Sequence, residues 1–170
     1  MNVYKELHKW IEPSVIARQL AKEWGEDGLI WLDGDGSKLG EKITIAANPL
    51  KSVSCQGLPD EKDSKSPFTA LKKLPQGHWT GWLSYEAGAW IESSNCWKKN
   101  TMSILYMACH DPVFKFDLKR KEFWICSSEK EKIYSTKKWL KKVSRLDKEE
   151  PLRRNIIAYN SWKWNTTEEE

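Results

Sequence analysis

The sequence predicts an α+β fold in which a mostly antiparallel sheet is flanked by two or three helices. Short apolar or alternating runs recur along most of the chain, and residues typical of turns separate them. Helical spacing of apolar residues is confined to a few segments. The 170 residues, of which 39% are hydrophobic and 31% charged, are enough for one ordinary domain with its own core.

The first third of the chain predicts one helix among several short strands. Pro13 opens the helix, and Gly25 and Gly28 follow its last apolar residue. The turn at residues 33–37 is rich in residues that tolerate positive φ, so it separates two strands. The predicted strands are residues 3–11, 29–32, 42–47 and 51–55. The last three of these runs predict an antiparallel meander.

The remainder of the chain predicts a second group of strands and two further helices. A polar loop precedes a short helix at residues 67–74. Ser128 and Glu131 have the spacing of a capping box, which predicts a helix from Ser128. Beyond Arg145 the helical spacing of apolar residues does not continue. The predicted strands are residues 80–85, 102–109, 113–118 and 122–126, and the last two form a hairpin through residues 117–121.

Composition excludes several functional classes. No apolar run reaches the length of about 20 residues that a membrane helix needs, and the N-terminus has no apolar signal segment. We therefore expect a cytoplasmic protein without membrane contact. The four cysteines lack zinc-ligand spacing, which favours free thiols. The net charge of +4 comes largely from lysines grouped on the last helix, a pattern typical of a solvated face, so no nucleic-acid partner is expected.

Residues 77–91, GHWTGWLSYEAGAWI, form the most specific local pattern in the chain. Residues 80–85 alternate as in a strand, which we expect to be buried on both faces with Trp82 and Tyr85 in the core. Gly81 would allow another backbone to approach closely. Glu86 follows at the strand end, a position where binding sites are often built.

This segment resembles the glycine-rich strand motif of the first component of the anthranilate and aminodeoxychorismate synthases. Three further segments resemble parts of the same family, in the same order along the chain. They are LIWLDGDGS at residues 29–37, KITIAANPL at 42–50 and NSWKWNTTEEE at 160–170. The aspartate-glycine turn and the Tyr85-Glu86 pair are more similar to the aminodeoxychorismate branch than to the anthranilate branch.

The resemblance implies that residues 1–150 are an N-terminal, non-catalytic domain, half of the synthase β-sandwich. Residues 151–170 would then be a linker and the start of a missing catalytic domain, so that this chain is a fragment of a longer protein. The implied partners are that chorismate-binding domain and a glutamine amidotransferase that supplies ammonia. No cofactor is expected in this chain, because the resemblance assigns Mg²⁺ to the catalytic domain.

The resemblance also implies two groups of site residues. Leu32, Asp33, Gly34 and Lys42 match a pocket for tryptophan or a similar ligand. Gly34 stands where the family has a serine, so a hydroxyl that would bind the ligand is absent and inhibition by tryptophan is not expected. Tyr85 and Glu86 would lie at the junction with the catalytic domain, with Glu86 as its polar contact.

Three alternatives remain open from the sequence. The chain could belong to the anthranilate branch, as an N-terminal domain in tryptophan biosynthesis. It could be a binding module for a sugar or small ligand, since 11 tryptophans are an excess, although those within predicted elements have a core role by default. It could also be an intact enzyme with His78 or His110 as a base, although no nucleophile-histidine pattern supports this. The module predicts exposed indoles on one face, whereas the synthase domain predicts buried indoles and a bare apolar patch.

Overall fold

Two antiparallel sheets and three α-helices make up the part of the chain that the computed structural model describes, residues 3–34, 37, 40–92, 97–98 and 101–149, with side chains to residue 145. This confirms the predicted α+β fold with flanking helices. The strands are β1 Tyr4–His8, β2 Ile30–Leu32, β3 Lys42–Ala46, β4 Lys51–Cys55, β5 His78–Leu83, β6 Leu105–His110, β7 Val113–Asp117 and β8 Glu122–Ser127. The helices are α1 Pro13–Trp24, α2 Pro67–Lys72 and α3 Lys130–Glu149, with a 3₁₀ helix at Tyr85–Trp90.

Sheet A has five strands in the order β1-β8-β7-β3-β2, and α1 and α3 cover one of its faces. In β7 and β8 every second residue points to the same side of the sheet, because side chains alternate between the two faces of a strand. Ile43, Phe116 and Phe123 are opposite one another across three strands and lie under the helices. The buried residues of this core are Ile11, Val15, Ile16, Ala17, Leu20, Ile43, Ile45, Phe114, Phe116, Phe123, Ile125, Ile133, Leu140 and Val143.

Sheet B is smaller, with three strands in the order β4-β6-β5. Its central strand β6 contributes Leu105, Ala108 and Cys109 to the interior, and α2 contacts the edge strand β4. None of the described residues of sheet B belongs to the core cluster between sheet A and the helices.

Two chain crossings connect the sheets and overturn the predicted meander. β2 and β3 do pair, but β3 and β4 lie in different sheets because the chain turns at Asn48, whose φ is 52°. The second crossing lies between β6 and β7, at the cis peptide bond of Asp111 and Pro112. The predicted β7–β8 hairpin is confirmed, with Lys121 at φ 53° in its turn.

Helix α3 differs from its prediction at both ends. The helix begins at Lys130, the hydroxyl of Ser128 donates to the carboxylate of Asp111, and the backbone N–H of Glu129 donates to the Ser127 hydroxyl at 3.1 Å. The helix also continues beyond Arg145 to Glu149. The predicted linker at 151–170 lies outside the described residues. No helix among the described residues is both long and apolar enough to cross a membrane.

Candidate functional site

The four residues of the implied ligand pocket lie around one hairpin of sheet A. Leu32 ends β2 and pairs with Thr44 of β3, while Lys42 begins β3 opposite Asp117 of β7. Leu32, Asp33 and Lys42 are exposed. The structure therefore brings the four residues to the same end of the β2–β3 hairpin, at the edge of the sheet.

Gly34 occupies a position without room for a side chain. A Cβ atom there would lie 1.9 Å from the carbonyl oxygen of Gly40, across the loop. The backbone N–H of Gly34 donates to Oδ1 of Asp33 at 2.9 Å. Serine therefore cannot replace Gly34 in this loop conformation, and Asp33 is an acceptor for the loop's own backbone.

Residues 77–91 include β5 and the 3₁₀ helix, but they differ from the predicted doubly buried strand. Along β5 the residues are half-buried or exposed, with no fully buried position. The expected role of Gly81 is confirmed, because a Cβ atom there would lie 1.8 Å from the carbonyl oxygen of Tyr106. Trp82 is exposed, stacks on Tyr106 with ring centroids 4.6 Å apart, and donates from Nε1 to the carbonyl of Ser103 at 3.3 Å.

The 3₁₀ helix exposes the apolar part of this motif instead of burying it. Tyr85 is 86% exposed and contacts Trp97 at a centroid distance of 5.4 Å, so the predicted core position of Tyr85 is wrong. Glu86 is half-buried beside it. Leu83 and Ile91, at the two ends of the 3₁₀ helix, are 45% and 71% exposed. The segment thus presents large apolar side chains to solvent over a short distance along the chain.

The tryptophans also differ from the predicted core role. Those of the predicted elements are Trp10, Trp24, Trp31, Trp79, Trp82, Trp90 and Trp124, and each is half-buried or exposed. The three exposed ones, Trp24, Trp31 and Trp82, lie on α1, β2 and β5. Phenylalanine and isoleucine fill the core in their place, because an indole N–H is difficult to satisfy in an apolar interior.

A row of side chains on the face of sheet A opposite the helices is half-buried or exposed, and we call this row the open face. By strand register it includes Leu7, Trp124, Lys115, Thr44 and Leu32. Leu7 is 60% exposed. The ammonium group of a further member, Lys5, lies 4.1 Å from the centroid of the Trp124 ring, a favourable cation–π distance.

His78 and His110, the candidate bases, face each other across β5 and β6. Burial lowers the pKa of His78, and the charge of Lys115 lowers this pKa further, whereas Asp111 opposes the shift. His110 is fully buried, and its Nε2 lies 2.9 Å from the carbonyl oxygen of Gly28. This bond ties the turn before β2 to sheet B, which is a structural role for His110.

A polar network at the Asp111–Pro112 crossing was not predicted. Asp111 accepts from the backbone N–H of Ser128 at 3.2 Å and from Lys132 at 3.2 Å, in addition to the Ser128 hydroxyl. Burial alone would raise the pKa of the Asp111 carboxyl, but hydrogen bonds from Ser127, Ser128 and Lys132 together lower it. The Asp-Pro dipeptide between two strands was the available sequence signal. No group of three metal-binding side chains occurs among the described residues.

Comparison with known proteins assigns no family to this chain. No protein-family model matches the chain, and a search of curated proteins also found no match. The similarity to the chorismate-utilising synthases therefore rests on the quoted motifs, and the function derived from it stays a proposal.

Proposed function

We propose that this chain is the N-terminal, non-catalytic domain of an aminodeoxychorismate synthase component I, which aminates chorismate towards para-aminobenzoate and folate. Its role is to complete the sandwich around a chorismate-binding catalytic domain and to help dock a glutamine amidotransferase. Chorismate and Mg²⁺ belong to the catalytic domain. The chain itself performs no chemical step in this proposal.

The main support for the proposal is the exposure of large apolar side chains within the segment that resembles the family motif. Leu83, Tyr85 and Ile91 lie beside the half-buried Glu86 at the end of β5. Exposed apolar clusters with polar neighbours are typical of surfaces that another protein covers. The open face of sheet A, with Leu7 exposed, is a second surface of this kind.

The direct test combines this chain with the chorismate-binding domain of an aminodeoxychorismate synthase component I. Association is measured by sedimentation velocity, and formation of aminodeoxychorismate from chorismate and ammonia is measured with Mg²⁺ present. We expect a one-to-one complex and amination activity above that of the catalytic domain alone. Formation of anthranilate instead would move the assignment to the anthranilate branch, the alternative within the family.

Paired substitutions locate the interface. Ile91→Ser is expected to weaken association at least tenfold, because burial of an exposed isoleucine on binding would contribute about 1.5–3 kcal/mol. Tyr134→Ser is the matched control, since Tyr134 is 63% exposed on α3, away from the motif. Equal affinity of the two variants, or absence of any complex with the catalytic domain, would contradict the proposal.

A binding module for a carbohydrate is the second candidate, and one observation favours it. Trp82 is exposed and stacks one face on Tyr106, which leaves its other face for a ligand, and Ser52 and Ser54 lie on the same face of sheet B by register. Sugar rings stack on such aromatic faces, and hydroxyl groups flank them. Saturable binding of cellohexaose, lost in Trp82→Ala, would support this candidate over the synthase domain.

Iodide quenching of tryptophan fluorescence separates the two candidates further. The buried indoles expected of a synthase domain are not found among the described residues, since Trp24, Trp31 and Trp82 are exposed. Of these three, only Trp82 lies in the segment that resembles the family motif, so the synthase domain now predicts that the quenching of Trp82 decreases when the catalytic domain is added. The module predicts strong quenching that only the sugar reduces.

A further inference from the structure

A cavity of about 260 Å³ lies between α1, α3 and the two crossings that join the sheets. It is on the helix-covered side of the molecule, whereas the implied tryptophan-like pocket is at the β2–β3 hairpin. Its walls combine apolar, aromatic and acidic side chains. The lining residues that matter for its chemistry are Leu20, Glu23, Trp24, Phe114, Thr136 and Trp139.

The interior wall of the cavity is apolar and aromatic. Leu20 and Phe114 are buried, and the ring of Phe114 lies 5.9 Å from that of Trp139. Trp24 and Trp139 form a tilted pair with centroids 5.8 Å apart at the opening. Such walls favour the apolar ring of a ligand, and the indole faces also attract a cation.

The polar groups of the cavity are mostly acceptors. Trp139 donates from Nε1 to Oε2 of Glu23, and the second carboxylate oxygen of Glu23 has no hydrogen bond to any of the described residues. The hydroxyls of Ser135 and Thr136 donate to the carbonyl of Lys132, at 3.0 and 2.6 Å, which leaves their lone pairs as acceptors. The donors left among the lining side chains, the Asn48 amide and the Trp24 indole, are neutral.

The charge at the cavity favours a cation. Asp111 also lines it, but Ser128 and Lys132 already bind this carboxylate, so Glu23 is the acid available to a ligand. The cavity adjoins Glu23 and Trp24, the last two residues of α1. The carbonyl end of a helix carries partial negative charge, which stabilises a nearby cation.

We propose that this cavity binds a small primary amine with one apolar ring, whose ammonium group pairs with Glu23 and the indole faces while its ring packs against Leu20 and Phe114. The volume lies just below the range of about 300–1,000 Å³ usual for ligand pockets, so the ligand is a small one. This site is independent of the proposed synthase role, because it uses neither the motif segment nor the open face of sheet A.

Three probes that share a phenyl ring test the charge requirement. 2-Phenylethylamine carries the cation, 2-phenylethanol is its neutral analogue and 3-phenylpropionate is an anion. Binding is measured by calorimetry and by the amide and indole N–H shifts of Trp24 and Trp139. We expect 2-phenylethylamine to bind at least tenfold more tightly than the alcohol, and the anion to bind more weakly still.

Glu23→Gln is expected to reduce the affinity for 2-phenylethylamine about tenfold and to leave that for the alcohol unchanged, because the variant removes charge but keeps a similar shape. Glu131→Gln, an exposed position of α3 outside the cavity, is the matched control and should bind the amine like the unchanged protein. Folding of each variant is checked by circular dichroism.

A second variant keeps the test decisive if Glu23→Gln disturbs the Trp139 contact. Trp24→Leu removes an exposed indole at the opening and should weaken amine binding more than alcohol binding. Equal binding of all three probes, a preference for the anion, or unchanged amine affinity in both cavity variants would overturn the proposal.

Discussion

Sheet A and sheet B are both antiparallel, but they differ in what covers them. Two helices cover sheet A on one side, and the side chains beneath them form the core cluster of the described residues. Sheet B has the short helix α2 against its edge, and its strand β5 has no fully buried residue, whereas most of its central strand β6 is buried. We therefore assign most of the stability to sheet A and its helices, which hold this core cluster, whereas sheet B exposes Trp82 and Leu83 on β5.

The largest effect should come from truncating the core of sheet A. Phe123 is completely buried and stacks on Phe116 with ring centroids 4.6 Å apart. Phe123→Ala should lower the free energy of unfolding by about 3–5 kcal/mol, because it leaves a cavity under the helices. Urea denaturation measures this difference.

Leu83→Ala in sheet B is the matched control for that truncation. Leu83 is exposed, so its truncation should lower the free energy of unfolding by less than about 1 kcal/mol. Similar losses in the two variants would contradict the assignment of stability to sheet A.

An intermediate effect is expected from adding one methyl group to sheet B. In Gly81→Ala the new Cβ would meet the backbone of β6, which cannot move without breaking strand pairing. We expect a loss of about 2–3 kcal/mol, the upper part of the usual range for overpacking, because the contact is with backbone. Hydrogen exchange should show faster amide exchange in β5 and β6 than in β7 and β8.

Thr80→Ala, at the neighbouring position of β5, removes atoms rather than adding them and is the control for Gly81→Ala. If exchange in β7 and β8 accelerates as much as in β5 and β6, the two sheets unfold as one unit. The proposed difference between the sheets would then be wrong.

Apart from the control variants, the smallest effect on stability should come from the crossing that joins the sheets. Asp111→Asn removes the charge that binds Lys132 and Ser128, and it should lower the free energy of unfolding by about 2 kcal/mol at neutral pH. The carboxyl has a lowered pKa in the folded protein, so its contribution is present above the unfolded pKa of about 3.9 and is lost as pH falls through the folded value.

The stability difference between the unchanged protein and Asp111→Asn should therefore shrink on acidification below about pH 4. Urea denaturation at a series of pH values measures it. Asp27→Asn, at an exposed aspartate, should show no such difference. A difference that is constant across this pH range would show that Asp111 acts by its shape and not by its charge.

Local pattern was sufficient for most elements of the fold. The spacing of Val15, Ile16 and Leu20 predicted α1, and the alternation around Ile43 and Ile45 predicted β3, since a helix or strand with one covered face must repeat apolar residues at its own period. The need for glycine at position 81 was also predicted, because only a residue without a side chain allows such close backbone approach.

The candidate sites were only partly accessible from the sequence. The resemblance pointed to Leu32, Asp33, Gly34 and Lys42, and the structure brings them to one hairpin end, but ligand binding there stays a prediction. The cavity between α1 and α3 had no sequence signal, because its lining residues come from distant parts of the chain that only folding brings together.

The sequence by itself determined where strands and helices form and that they build an α+β protein, because backbone geometry and side-chain period are local properties. Tertiary structure alone decided which strands pair, as in β1 with β8, and which faces are covered. It also decided that Ser128 binds Asp111 and that Tyr85 faces solvent. Alternation shows that a strand has two faces, but only the packed neighbours determine which of them is buried.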